Sequence, residues 1–305
     1  MQSVLLAMAS IILAGMAWRL RLGAGRAERI RGALAGTVYQ LLLPALVLHV
    51  LWSTPVDLNT VRIPLVAAAS VLGSLMLAYL IYARILSGRA GNSAVGALLL
   101  ASAFGNFTYL GLPVLTQTFG EWSQFVAIQF DLLASTPLLF TMGILVARHF
   151  GKPDSGHPFL DLLRVPAIWA AGLGLLFSSL QLGAPAWLDQ ALHTLGSAVI
   201  PLMLLSVGMA LRWQAGWLAR APMLLPMLGV QLFLMPLIAW AACHAVGVPK
   251  QLLAPTVVEA AMPCMVLGLV ICDRFQLDAS LYAEAVTVST LLSFLTLPLW
   301  LQWIF

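Results

Sequence analysis

The sequence predicts an all-α integral membrane protein: ten transmembrane helices in two inverted five-helix repeats, with helices 4 and 9 interrupted. Three observations predict it. The chain is 61% hydrophobic and only 9% charged, too little charge to cover a soluble protein of this length. The basic residues gather in alternate connections between apolar runs. Two of the runs carry helix-breaking residues near their middles, one in each half.

Ten apolar runs approach the length of about 20 residues that crosses a bilayer. They lie at 3–18, 33–53, 63–86, 93–119, 123–148, 160–182, 190–211, 221–246, 251–272 and 279–305. The first resembles a signal peptide in length, but a signal carries its positive charge before the apolar core. Here Arg19, Arg21, Arg26, Arg29 and Arg31 follow it, so it reads as a true span with its N-terminus outside. The connections after spans 3, 5, 7 and 9 hold Arg84, Arg89, Arg148, Lys152, Arg164, Arg212, Arg220 and Arg274. With the first five these make 13 of the 15 basic residues, against Arg62 and Lys250 on the other side. Cytoplasmic loops are the ones enriched in Lys and Arg. A multi-pass protein of the cell inner (plasma) membrane with both termini extracytoplasmic follows, which requires an even number of spans. Trp213, Trp217 and Trp300 suit the aromatic belts.

The net charge of +4 is then accounted for by loops held against anionic headgroups, and no nucleic-acid partner is expected. Cys243, Cys264 and Cys272 show no C-x-x-C spacing and lie in or beside apolar runs. No disulfide framework, metal site or cofactor is expected beyond a coupling H+ or Na+.

Leu41-Leu-Leu-Pro44-Ala-Leu-Val-Leu resembles Ala198-Val-Ile-Pro201-Leu-Met-Leu-Leu, and Ser123-Gln-Phe125 resembles Ser280-Leu-Tyr282 at the same offset. The expected division is residues 1–150 as a first five-helix repeat, 151–159 as a cytoplasmic connection and 160–305 as the second repeat. Five spans is an odd number, so the second repeat is inverted. Spans 4 and 9 become symmetry partners.

In span 4, Gly105 and Gly111 weaken the helix, and Pro113 removes a donor and clashes with the carbonyl of Tyr109. A break near Asn106–Pro113 would leave half-helix ends suited to ions. The Asn106 amide can bind a carboxylate or cap its own broken helix. In span 9, Glu259 lies four residues before Pro263 and so on the same helix face, with Cys264 next to the break. Ionisable groups in spans mark ion pathways by default, so Glu259 is a candidate proton carrier, or else a structural carboxyl bonded to a neighbouring helix. Asp131 in span 5 is the second candidate for coupling. Of the scattered His49, His193 and His244, His49 is the best placed, one turn beyond Pro44.

Several segments resemble bacterial members of the auxin efflux carrier family, related to the plant PIN auxin transporters. They are Leu43-Pro44-Ala-Leu-Val, Asn106-Phe-Thr-Tyr-Leu-Gly111-Leu-Pro113, Pro201-Leu-Met-Leu-Leu-Ser-Val-Gly208, Ala261-Met-Pro263 and Ser289-Thr-Leu-Leu-Ser-Phe-Leu-Thr-Leu-Pro298. The resemblance implies that spans 4 and 9 cross at their breaks, as in NhaA and the bile-acid symporters, with the substrate site between a scaffold and a transport domain. It implies secondary transport of small organic anions, such as malate, malonate or auxin-like acids, by an elevator or rocking motion. The long central loop of the plant proteins is absent. Substrate-binding positions are then Asn106, Tyr109, Gly111, Pro113, Glu259, Pro263 and Cys264, with Glu259, Asp131 and His49 for proton or ion coupling. Expected partners are a small carboxylate, the lipid bilayer and a second copy of the chain in a homodimer. Rival readings are a sodium-coupled bile-acid-type symporter and a non-transporting receptor. An enzyme is not expected, because the chain has no H-E-x-x-H, no G-x-S-x-G and no cysteine pair.

Overall fold

The computed structural model describes residues 2–85, 91–152, 158–211 and 217–304. Arg89, Arg212, Trp213, the side chain of Trp217 and most of the 151–159 connection lie outside the described residues. The described chain is helical almost throughout, without strands. Six of its helices are long and apolar enough to cross a membrane: Gly25–Ser53, Asn59–Arg84, Glu121–Phe150, Ala186–Ala210, Arg220–Ala245 and Ala279–Ile304. Helix Gln2–Leu22 precedes them, and the shorter apolar helices Asn92–Ala103 and Pro166–Ser179 lie between them.

The helices pack as two bodies. In the first, Gln2–Leu22 lies along Val199–Ala210, and Pro166–Ser179 lies along Leu43–Ser53. Glycine permits the closest approach. A Cβ on Gly15 would run into the Leu205 carbonyl, and one on Gly208 into the Ile12 carbonyl. Without a hydrophobic drive between helices in lipid, such small-residue contacts favour association. The second body is built from Asn59–Leu80, the two interrupted segments, the helices of 121–150 and 217–245, and Ala279–Ile304.

Prolines shape the helices in a recurrent way. The π-helical turns Val38–Leu42, Phe107–Gly111, Asp131–Ser135 and Val230–Leu234 each end two residues before a proline: Pro44, Pro113, Pro137 and Pro236. Proline donates no bond and clashes with the carbonyl four residues back. That carbonyl falls inside the π-turn each time, where the wider winding makes room for the ring. Such π-bulges are frequent at functional sites.

Two segments break outright. Helix Asn92–Ala103 stops at Phe104, and the chain re-enters helix at Phe107. Helix Lys250–Ala260 stops, and helix Gly268–Arg274 resumes after an extended stretch. The break thus precedes Pro113, which the π-turn absorbs within the second half-helix.

Candidate functional site

The two breaks meet. Gly105 and Cys264 form an isolated antiparallel β-bridge. The Met265 N–H donates to the Phe104 carbonyl at 3.1 Å, and the Asn106 N–H donates to the Pro263 carbonyl at 2.6 Å. Each group would cost several kcal/mol if left unpaired in hydrocarbon, so each break supplies what the other lacks. Gly105 is required by the close approach: a Cβ there would lie 2.6 Å from the Phe107 ring and 3.0 Å from Gln231 Nε2.

Side chains complete the crossing. Gln231 Nε2 donates to the Met262 carbonyl at 2.8 Å, the Cys264 N–H donates to Ser289 Oγ at 3.2 Å, and the Tyr282 hydroxyl donates to the Met265 carbonyl at 3.0 Å. None of these three side chains was singled out as a site residue in the sequence, although Tyr282 and Ser289 lie in segments that carry the repeat and the family resemblance. Gln231 offered a signal, as an amide in an apolar run. Ser289 and Tyr282 sit on Ala279–Ile304, and nothing local pointed from them to the break.

Asn106 answers the question of capping. Its backbone carbonyl accepts the Leu110 and Gly111 N–H groups, both at 3.0 Å, while its side chain makes no capping bond. Asn106 is 4% exposed, and its Nδ2 has no partner. It lines a cavity of about 80 Å³ with Tyr39, Thr108, Tyr109, Asp131 and Met265, several times the space that one water needs. Asp131 opens a π-turn and accepts bonds from the hydroxyls of Thr108 and Thr136, the second at 2.9 Å. The interrupted helix and Glu121–Phe150 are thereby joined at the cavity wall.

Glu259 lies apart from that cavity. It is fully buried, and neither carboxyl oxygen has a partner. Both press against Gly111, where a Cβ would overlap them. Gln129 is also buried with its Oε1 unpaired, on a helix that packs against that of Glu259. Pro113 is buried inside the second half-helix. Pro263 and Cys264 form the crossing itself through their backbones.

His49 sits elsewhere. It lines a second cavity, of about 470 Å³, with His193, Thr116, Glu121, Trp122 and Phe125. Its Nδ1 is 3.0 Å from Asp189 Oδ1, and its ring meets His193 edge-on at 5.4 Å. The two cavities follow one another along the same helices. On Gly25–Ser53 the crossing cavity takes Tyr39 and Leu43, and the larger one takes Leu46, His49 and Ser53. On Glu121–Phe150 the order is reversed, with Phe125 at the larger cavity and Asp131 at the crossing. Each cavity has walls from both helical bodies.

A family model described as Membrane transport protein matches residues 155–301. An uncharacterized transporter of Methanothermobacter thermautotrophicus is 30% identical over 206 residues, which cover 67% of this chain and 66% of that protein, just under two thirds of its length. The uncharacterized transporter MJ1031 of Methanocaldococcus jannaschii is 29% identical over 256 residues, 80% of this chain and 79% of that protein. The chain is thus similar over just under half of its length to a membrane transport protein model, and over most of its length to two archaeal proteins named as transporters, which is consistent with a transporter of the auxin efflux carrier family.

Proposed function

We propose that the protein is a secondary active carrier of small organic acids that works by alternating access, the first helical body serving as scaffold and the second as the moving element. The observation that carries this reading is the pair of cavities on the seam between the bodies, one at the crossing and one further along the same helices. A slide or rock of one body against the other would open each in turn. The substrate would bind beside Asn106, whose unpaired Nδ2 can donate to a carboxylate oxygen. Glu259, buried next to the crossing without a hydrogen-bond partner, would carry a coupling proton.

The helical segments read as ten spans in two inverted five-span repeats. The packing supports the symmetry: the first helix lies on the seventh segment and the second on the sixth, a pair of contacts that a two-fold axis would exchange. The fourth and ninth segments meet each other, as partners across that axis would.

The test is counterflow of labelled small carboxylic acids into proteoliposomes holding the purified full-length protein. Asn106→Ala should lower it by about tenfold, the loss of one hydrogen bond to a charged group, and Glu259→Gln should abolish its dependence on a proton gradient. Counterflow unaltered by both changes would refute the site.

A further inference from the structure

The crossing cavity has a charge pattern that an organic anion matches at Asn106 but not at Asp131. Asn106 Nδ2 is a buried donor without an acceptor. Asp131 brings a carboxylate to the same cavity, and no lysine, arginine or histidine lines it among the described residues. Arg31, within Coulombic reach of Tyr109, is ion-paired with Glu28. A dicarboxylate placed here would meet a like charge with no opposite one, in surroundings where charges act more strongly than in water. Two of the roughly four lone-pair positions of the Asp131 carboxylate are used by Thr108 and Thr136, and the others remain. The rest of the lining is largely apolar, with Phe107, Leu132, Leu139, Phe140 and Met265.

We infer that the cavity takes a zwitterion, a small apolar amino acid, with its carboxylate on Asn106 Nδ2, its ammonium group on Asp131 and its side chain against the phenylalanine and leucine wall. The inference rests on the carrier reading and narrows it. A ligand with an acceptor and a cation a few bonds apart satisfies both polar features of the cavity at once and brings no net charge into the bilayer interior.

The test is thermal stabilisation of the purified full-length protein, with counterflow in proteoliposomes as second readout. The probes are glycine, L-alanine, L-valine and L-leucine, their amine-free counterparts acetate, propanoate, 3-methylbutanoate and 4-methylpentanoate, and malonate. At least one amino acid should stabilise the protein and be exchanged, with its amine-free counterpart on the order of tenfold weaker or worse, as for loss of a hydrogen bond between charged groups. Asp131→Asn should erase or reverse that preference, while Asp131→Glu should retain part of it. The melting temperature of each variant without ligand separates misfolding from lost recognition. If amine-free acids or malonate are bound and exchanged while the amino acids are not, the zwitterion assignment is overturned and the carrier reading stands. If no probe is bound or exchanged, both fail.

Discussion

Gly111 and Glu259 share one small volume at the crossing, and that makes them a sensitive pair. A methyl group at Gly111 would overlap the Glu259 carboxyl, and overpacking of this kind costs about 1–3 kcal/mol. Gly111→Ala should lower the melting temperature in detergent, and Glu259→Ala should partly restore it in the double variant. The coupling should exceed about 0.5 kcal/mol, as for residues in contact; additive losses would mean that the two side chains do not compete for space. Gln231, beside Gly105 and bonded to the Met262 carbonyl, has a different task. Gln231→Leu leaves the Met262 carbonyl without its donor, a loss of about 1–3 kcal/mol that a melting curve should register.

At the level of the element, the π-turns keep prolines inside helices without breaking them. The turn Asp131–Ser135, just before Pro137, sets where Asp131 points. In Pro137→Ala the turn can relax to ordinary α-winding, and one residue of slip rotates the preceding helix by about 100°. Asp131 then leaves Thr108 and the cavity. The melting temperature without ligand should hold or rise, since a helix-interior proline has been removed, while ligand-induced stabilisation disappears. Retained ligand response would show that the turn does not aim Asp131. These turns also explain what was legible in the sequence. Gly105, Asn106, Gly111 and Pro113 announced an interruption, and the run beginning at 93 matches the observed first half-helix, Asn92–Ala103, to within one residue at its start. The position of the break within 104–113 was not legible, because a proline alone does not tell whether a helix ends or widens around it. Asn106 was legible as polar and out of place. Its capping through the backbone, with the amide left for the cavity, needed the antiparallel pairing with Pro263. Ser289 and Tyr282 gave no comparable warning, and the amide of Gln231 did not reveal its target, since the partners of all three are backbone groups of the second break, a Cys264 N–H for Ser289 and carbonyls for the other two.

Over the whole molecule, motion would be concentrated on the seam between the two bodies. Ile200 and Phe125 face the larger cavity from opposite bodies, and the native cysteines are buried. With cysteines at both positions, a cleavable bifunctional thiol reagent should suppress counterflow several-fold and cleavage should restore it. Undiminished flux with the link in place would show that transport does not use the seam. The crossing also bears on how the chain is made. The Asn106 N–H has its acceptor in the Pro263 carbonyl, half the chain later. At ordinary rates of synthesis that acceptor emerges roughly 10–30 s afterwards. During that interval the segment 92–119 holds a gap that lipid cannot satisfy, so it must wait at a wet or protein-lined site of the insertion machinery. A ribosome-bound chain stopped before residue 250 should therefore leave this segment open to water-soluble thiol reagents at an introduced Asn106→Cys, and the full chain should close it. The membrane insertion of the first half would be completed by the second.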